Sequence, residues 1–376
     1  MFDLAAQLAE RKDAGLFRRR LTASSPQGVN VVIDGREFLS FCSNDYLGLA
    51  SHPDLVRVLQ EAAGKWGTGA GASHLLGGHS EQHEELERVA ARCIGADRAL
   101  LFSTGYMANL AVLSALAGRG DLIHQDRLNH ASLIDGALLS RAALKRYRHR
   151  DTAQLASHLA DAAGNSDRRQ LIASDGVFSM DGDLAPLQTM LSLARQHQAL
   201  CYIDDAHGFG VIGEKGKGIV EQAAGDGSDF SDSQLLLMCT LGKAMGSFGA
   251  FVAGSEELIE TLVQSGRSYI YTTALPPAQA AVSVAAIELI EKEAWRRSKL
   301  VSLVSYFKTG CRQRDIPLMD SATPIQPVMI GSNERAMRIA GQLNDQGLLV
   351  FAIRSPTVAA GSERIRITLS ADHDEA

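Results

Sequence analysis

Short apolar runs alternate with longer amphipathic segments through the middle of the chain. The apolar runs predict strands at residues 99–102, 121–125, 171–174, 200–204, 235–240 and 250–254. The amphipathic segments predict helices at residues 80–93, 106–117, 130–141, 186–197 and 255–265. Strands that alternate with helices build βαβ units, so the pattern predicts an α/β fold with a mostly parallel sheet that helices cover on both faces.

The pattern changes towards both ends of the chain. The first 20 residues predict an amphipathic helix, and residues 29–42 predict a hairpin that turns at Asp34-Gly35, a dipeptide typical of two-residue turns. Beyond Pro276-Pro277, an alanine-rich helix, a charged helix and strand runs mixed with one more helix predict a smaller α+β domain. The expected parts are an N-terminal segment over residues 1–47, a large domain over 48–279 and a C-terminal domain over 280–376.

Composition and charge exclude several classes of protein. Lys and Arg number 37 and Asp and Glu number 43, and the net charge of −6 argues against a nucleic-acid-binding protein. No stretch reaches the roughly 18 uninterrupted apolar residues of a membrane span, and the first 20 residues mix acids and bases, unlike a signal peptide. The five scattered cysteines are typical of buried reduced thiols. We therefore expect a cytoplasmic protein without a nucleic-acid or membrane partner.

Three patterns resemble known motifs but lack their usual context. Gly208–Gly213 matches G-x-G-x-x-G after a strand, but a loop follows it instead of the apolar helix of a dinucleotide site. Residues 67–72 resemble a variant of the same motif, but no strand precedes them. His79 and His83 have a spacing that suits a metal, yet the order H-E-x-x-H is absent. We expect a solvated helix face there and no metal site.

Two predicted strand ends carry residues that suit a Schiff-base cofactor. Asp204 ends one strand, and Lys243 follows another in a glycine-rich apolar stretch. Taken alone, Asp204 also suits a capping position and Lys243 a surface position. The carboxyl ends of strands line the ligand crevice of an open α/β sheet, so the two residues are expected to converge. A lysine that loses hydration has a lowered pKa and becomes a nucleophile. A lysine and a carboxylate together suit pyridoxal 5′-phosphate (PLP).

Three other segments match further needs of PLP. The turn from Ser103 to Tyr106 lies between a strand and a helix, where free N–H groups and the helix dipole favour a phosphate. Ser179 follows another strand at the same edge of the sheet. His130 begins a predicted helix, where it suits either stacking on the cofactor ring or an ordinary helix terminus.

The chain resembles the α-oxoamine synthases, a family of PLP enzymes of fold type I. The motifs that carry the resemblance are NDYLGL, DRLNHASL, SDGVFSMDGD, IDDAHGFGVIG and TLGKAMGSFGA, which cover nearly the whole chain in the family's order. The resemblance implies a mostly parallel seven-stranded sheet, a homodimer, and the decarboxylative condensation of an amino acid with an acyl thioester. The segments GAGASHLLGGHS and FAIRSPTVAAGSERIRITLS look like the family member of biotin biosynthesis, which uses L-alanine and a pimeloyl thioester of CoA or acyl-carrier protein.

The resemblance also implies roles for individual residues. Lys243 is implied to bind PLP covalently, Asp204 to pair with the ring nitrogen and His207 with the ring hydroxyl. His130 is implied to stack on the ring, next to the substrate. The phosphate side is implied to be surrounded by Gly105, Tyr106, Ser179 and Thr240, with Thr272 or Thr273 from the neighbouring subunit. The implied substrate contacts are Arg354 for the amino-acid carboxylate, Asn44 near the substrate, and Arg18 and Thr357 for the acyl group.

Two other activities stay open at the level of the sequence. Glycine C-acetyltransferase looks similar across the same motifs but takes glycine and acetyl-CoA, and an aminotransferase fits the whole-chain pattern less well. The chain also departs from the family in two places. Ser355 replaces the first proline of the usual R-P-P-T-V, and family members usually continue into a further helix after ADHDEA.

Overall fold

The elements of the fold follow the predicted alternation of strands and helices. The computed structural model describes residues 2–14, 16–18, 20–162, 168–224 and 234–375. The helices are α1 (Leu4–Asp13), α2 (Pro53–Trp66), α3 (Glu81–Ile94), α4 (Gly105–Leu116), α5 (Ala131–Ser140), α6 (Thr152–Ala162), α7 (Leu187–Gln196), α8 (Ile219–Ala224), α9 (Glu256–Ser265), α10 (Arg267–Ile270), α11 (Pro277–Lys292), α12 (Trp295–Arg312) and α13 (Asn333–Asp345). The strands are β1 (Asn30–Ile33), β2 (Arg36–Ser40), β3 (Arg98–Phe102), β4 (Leu122–Asp126), β5 (Ala143–Tyr147), β6 (Gln170–Asp175), β7 (Leu200–Asp204), β8 (Leu235–Thr240), β9 (Ala250–Gly254), β10 (Ile325–Met329), β11 (Leu348–Leu349), β12 (Phe351–Ile353) and β13 (Arg364–Thr368).

A seven-stranded sheet forms the centre of the fold. Its strand order is β3-β9-β8-β7-β6-β4-β5, in which β9 runs antiparallel to both of its neighbours and the strands from β8 to β5 run parallel. Every residue of β4, β6 and β9 is buried. Strands that are buried on both faces belong to a sheet covered by helices on both sides. The prediction of a mostly parallel seven-stranded α/β sheet is confirmed.

Two three-stranded sheets lie outside the central sheet. One has the order β1-β2-β11 and the other β10-β13-β12. The predicted hairpin is confirmed: Asp34 and Gly35 have φ of 50° and 75°, the positive values that a two-residue hairpin turn requires. Because β11 pairs with β2, the N-terminal hairpin shares a sheet with a strand near the other end of the chain. The domain bounds at residues 47 and 279 stay a prediction.

The structure also contains elements that the apolar pattern did not predict. These are α2, α6, α8, α10 and the edge strand β5, whose sequence ALKRY places basic side chains where the other strands are apolar. The first helix ends at Asp13, and none of its residues is buried. In the described ranges, no helix is long and apolar enough to cross a membrane. The five cysteines are free thiols, and all except Cys42 are buried, as predicted.

Candidate active site

The carboxyl ends of three neighbouring strands bring acidic and basic residues to one edge of the central sheet. Asp175 ends β6 and Asp204 ends β7, and the two residues lie opposite each other in the register of the parallel pair. Lys243 follows β8, the next strand of the sheet. The expected convergence of Asp204 and Lys243 therefore follows from the strand order.

The amine of Lys243 lies in a half-buried position against His207. The distance from Lys243 Nζ to His207 Nε2 is 2.8 Å. Burial lowers the pKa of the amine from 10.5 to about 8, although the carboxylates of Asp204 and Asp175 act in the opposite direction. Gly246 has a φ of 60°, and a Cβ there would lie 2.3 Å from the carbonyl carbon of Leu49. The loop that carries Lys243 therefore packs directly on the backbone of the NDYLGL segment.

A chain of polar contacts runs from Lys243 away from the sheet. His207 Nδ1 lies 2.6 Å from the hydroxyl of Tyr46, which donates to Asn44 Oδ1 at 3.3 Å. Arg366 on β13 donates to the same Asn44 oxygen at 3.3 Å and to the carbonyl of Ser179 at 2.6 Å. Burial raises the pKa of Tyr46 to about 12, and burial together with the charge of Lys243 holds the pKa of His207 well below its usual value. Neither Tyr46 nor Arg366 was expected from the sequence to be a site residue.

Asp204 is held by hydrogen bonds to both of its carboxylate oxygens. Oδ1 accepts the backbone N–H of Ala206 at 3.1 Å, and Oδ2 accepts an N–H of the Asn109 side chain at 2.7 Å. Asp204 is 6% exposed and its neighbour Asp175 is 4% exposed. Burial and the nearby charge of Asp204 raise the pKa of Asp175 well above its usual value. The strand ends thus hold two adjacent carboxyl groups, and burial disfavours the ionised form of Asp175.

His130 is the N-cap of α5, and its ring is exposed beside this edge of the sheet. Its backbone N–H donates to Asp175 Oδ2 at 2.9 Å. Its ring packs edge-on against Tyr106, with 6.4 Å between the ring centroids. The hydroxyl of Tyr106 donates to Asp135. An exposed imidazole with a fixed backbone suits contact with a planar ligand ring.

The turn before α4 offers backbone donors to an anion. Thr104 caps the helix by accepting the N–H of Met107 at 3.2 Å. Gly105 and Tyr106 begin the helix, where backbone N–H groups have no carbonyl one turn earlier within the helix. Thr240 at the end of β8 donates to the carbonyl of Gly249 at 3.2 Å. These groups suit the phosphate side of a cofactor.

The YTTALPP segment lies next to the same turn of its own chain. The hydroxyl of Ser103 donates to the backbone carbonyl of Thr273 at 3.5 Å. Thr273 is exposed and Thr272 is half-buried. The YTTALPP segment therefore lies near the start of α4 in its own chain. The contact of Thr272 or Thr273 with a neighbouring subunit stays a prediction.

The remaining predicted substrate residues are Arg354, Thr357 and Arg18. Arg354 is half-buried at the start of a turn in which its carbonyl accepts the N–H of Thr357 at 2.9 Å. Thr357 and Arg18 are exposed. Their roles towards substrate stay predictions.

The expected solvated face of α3 is wrong for His83. His83 is fully buried, and its ring contacts the carbonyl of Leu275 at 2.6 Å and the backbone N–H of Ser80 at 2.9 Å. His79 is half-buried and lies 2.8 Å, Nδ1 to Nδ1, from the buried His74. The charged residues around His83 in the sequence favoured an exposed position. The buried position could not be predicted, because the partner Leu275 is distant along the chain.

Comparisons with known proteins show the family of this chain. Residues 36–376 match the family "Aminotransferase class I and II". An 8-amino-7-oxononanoate synthase from Pseudomonas putida is 54% identical over 375 residues, which cover 100% of this chain and 94% of that protein. The chain belongs to the family "Aminotransferase class I and II". Among solved structures, an 8-amino-7-oxononanoate synthase from Francisella tularensis is 30% identical, with a TM-score of 0.77 over 90% of this chain and 93% of that one.

A second solved relative holds the cofactor PLP. A serine palmitoyltransferase from S. paucimobilis with bound PLP-myriocin is 30% identical, with a TM-score of 0.90 over 99% of this chain and 92% of that one. The predictions of a PLP-dependent enzyme and of fold type I are confirmed. The residues at the strand ends fit this cofactor. A lysine of lowered pKa suits its aldehyde, a buried carboxylate its ring nitrogen, and the start of α4 its phosphate.

Proposed function

We propose that this chain condenses L-alanine with a pimeloyl thioester to give 8-amino-7-oxononanoate, CO2 and the free thiol. The observation that carries the chemistry is the Lys243 amine, which lies 2.8 Å from His207 beside the buried carboxylates of Asp204 and Asp175. The choice of substrates rests on the full-length similarity to proteins named 8-amino-7-oxononanoate synthase. The acyl carrier is either CoA or acyl-carrier protein.

The chemistry that PLP supplies when bound is an aldehyde for the amino acid and a ring that accepts the electron pair left at the α-carbon. Lys243 would hold the cofactor through its amine and would take the α-proton of the bound amino acid. A pKa near 8 keeps part of the amine neutral near neutral pH, as a base requires. Asp204 holds a proton on the ring nitrogen through a charge-assisted hydrogen bond. A hydrogen bond between His207 Nε2 and the Lys243 amine orients that amine.

Two arginines compete for the role of binding the amino-acid carboxylate. The family resemblance points to Arg354, whereas the geometry favours Arg366. The positive charge of Arg366 reaches the inner part of the site, where it lowers the pKa values of Lys243, His207 and Tyr46. Its guanidinium also orients Asn44, which the sequence analysis placed near the substrate. We therefore propose Arg366 as the carboxylate ligand and a role for Arg354 further from the reacting carbon.

Arg366→Gln is expected to lower kcat/KM for alanine by about 10- to 150-fold, because a charge-assisted hydrogen bond contributes about 1.5–3 kcal/mol. The same measurement on Arg354→Gln should give a smaller loss for alanine. Arg338→Gln on the exposed face of α13 is the matched control for the loss of one positive charge. A larger loss for Arg354→Gln than for Arg366→Gln would return the role to Arg354.

The substrate assignment is tested by a matrix of thioesters and amino acids. We expect alanine to be preferred over glycine by about 10- to 200-fold, the range that one methyl group provides in a pocket. Pimeloyl thioesters should be preferred over acetyl and palmitoyl thioesters more strongly, because a desolvated terminal carboxylate adds charge-assisted bonds. The measurement is thiol release with alanine, glycine or serine and each acyl thioester. A better rate with glycine and acetyl-CoA would identify a glycine C-acetyltransferase.

We also propose that the protein is a homodimer and that it is located in the cytoplasm. A homodimer with Thr272 or Thr273 near the partner's phosphate site is supported by the exposure of this segment beside the start of α4. Closed two-fold symmetry is also the commonest arrangement of soluble oligomers. The cytoplasm is the location that the free cysteines favour.

A further inference from the structure

A buried relay of side chains connects the carboxylate of Asp204 to the ring of His130. Asn109 on α4 lies between them and uses its side-chain nitrogen twice, towards Asp204 Oδ2 and towards Ser132 Oγ, each at 2.7 Å. Ser132 Oγ lies 2.6 Å from Nδ1 of His130. The hydroxyl of Tyr202 on β7 lies 2.5 Å from Asn109 Oδ1. Asn109 is 1% exposed, and Tyr202 and Ser132 are 0% exposed.

The direction of every hydrogen bond in the relay follows from the carboxylate. An ionised carboxylate only accepts, so the Asn109 atom that faces Asp204 is the amide nitrogen. The amide oxygen then faces Tyr202, whose hydroxyl donates to it. The second N–H of Asn109 donates to Ser132 Oγ. The hydroxyl of Ser132 donates in turn to His130 Nδ1, because that nitrogen also accepts the backbone N–H of Ser132 and so carries no proton of its own.

A second donor reaches the same ring nitrogen. The backbone N–H of Ser132 donates to His130 Nδ1 at 3.3 Å, which is the helix cap of α5. A ring nitrogen that accepts two hydrogen bonds carries no proton, so the ring proton lies on Nε2. The backbone of His130 is fixed separately by Asp175, which accepts its N–H at 2.9 Å.

We propose that Tyr202, Asn109 and Ser132 are positioning residues that hold His130 in the Nε2–H tautomer and connect it to the carboxylate of Asp204. The exposed side of the imidazole then presents a donor towards the cofactor and substrate. The inference rests on the proposed function only for the identity of the group that accepts from His130 Nε2–H. The relay itself lies entirely within the chain. If the amide of Asn109 were reversed, its oxygen would face the carboxylate of Asp204. Two oxygens that both accept would then face each other without a hydrogen bond.

The test is 15N NMR of the histidine-labelled holoenzyme in the solid state. The resonances of His130 are assigned as those lost in His130→Asn. The wild type should show Nε2 protonated and Nδ1 unprotonated. Ser132→Ala and Tyr202→Phe should each produce a population with Nδ1 protonated. Ser140→Ala on the same helix and Tyr147→Phe in the same sheet remove buried hydroxyls outside the relay and should leave the His130 resonances unchanged.

Kinetics distinguish a relay from three separate structural contacts. Ser132→Ala should lower kcat by roughly 10-fold, the upper end of what the loss of one neutral hydrogen bond produces, with little change in the KM for alanine. The double variant Ser132→Ala/Tyr202→Phe should lose no more than Ser132→Ala alone, because residues of one network are not additive.

Three outcomes would overturn the relay: a wild-type His130 protonated at Nδ1, an unchanged tautomer in both single variants, or fully additive losses in the double variant. If Ser132→Ala does not fold, Tyr202→Phe carries the same prediction for the tautomer. The tautomer is measured without acyl substrate, so failure of the relay and failure of the substrate assignment are distinguishable.

Discussion

Lys243→Ala is expected to lower turnover by about 10⁴-fold or more, because one side chain provides both the covalent attachment of PLP and the proton transfer at the α-carbon. Borohydride reduction of the wild-type holoenzyme followed by peptide mapping should place the phosphopyridoxyl group on Lys243. Lys145→Ala removes a half-buried lysine of β5 in the same sheet and serves as the control, with near-normal turnover. A label on another lysine, or substantial turnover in Lys243→Ala, would contradict the assignment.

Because the pKa of Lys243 is lowered, we expect the rate of PLP binding to depend on pH in a characteristic range. Only the neutral amine attacks an aldehyde, so the rate at which the apoenzyme captures PLP should rise with pH. The midpoint of the rise should lie near pH 8 and not near 10.5, since burial lowers the pKa of the amine to about 8. Stopped-flow absorbance of apoenzyme mixed with PLP measures this rate. A rise that continues unchanged to pH 10 would show that the amine is not desolvated.

The sequence predicted the strand-end part of the site for a simple geometric reason. Parallel strands that share a sheet place their carboxyl ends at one edge, so Asp204 and Lys243 had to lie on the same side once their strands were recognised. The helix start at Gly105 and the cap at His130 were predictable in the same way, because each follows a recognisable strand. Local pattern and sheet topology sufficed for these residues.

The outer part of the site depends on contacts between distant segments. Tyr46 reaches His207, and Arg366 reaches Asn44, across separations of 161 and 322 residues. Arg364 and Arg366 occupy alternate positions of β13, so they share a face of a strand whose other face is apolar and buried. Two arginines on one face of such a strand were the available signal for a buried cationic site. Secondary-structure propensity alone does not indicate which segment packs opposite these two arginines.

The relay was not predictable because its members carry no pattern of their own. Asn109 lies within an apolar helix whose local sequence resembles any other buried helix, and Ser132 resembles an ordinary residue of a first helical turn. Their importance arises only when α4 and α5 pack together above the end of β7. A polar residue at a fully buried helix position, such as Asn109, is the one sequence feature that would have justified attention.

The charge of Asp204, and not its shape, is expected to carry its role. In Asp204→Asn the new amide oxygen can still accept the N–H of Asn109, while the amide nitrogen that replaces the other oxygen no longer accepts the N–H of Ala206 and the negative charge is lost. The variant should bind PLP, because Lys243 and the start of α4 are unchanged. Without the charge, the ring nitrogen no longer holds its proton, and the ring accepts the α-carbon electron pair poorly.

We therefore expect Asp204→Asn to lower kcat by about 10²- to 10³-fold, the size of the loss when one preorganised electrostatic group is removed. The exchange of the α-proton of alanine with D2O, followed by 1H NMR without any acyl thioester, should fall by a similar factor. Asp175→Asn is the matched control. It removes the neighbouring carboxyl, whose pKa burial raises well above its usual value, and an asparagine oxygen can still accept the N–H of His130. Near-normal exchange in Asp204→Asn, or an equal loss in Asp175→Asn, would show that the ring nitrogen depends on some other group.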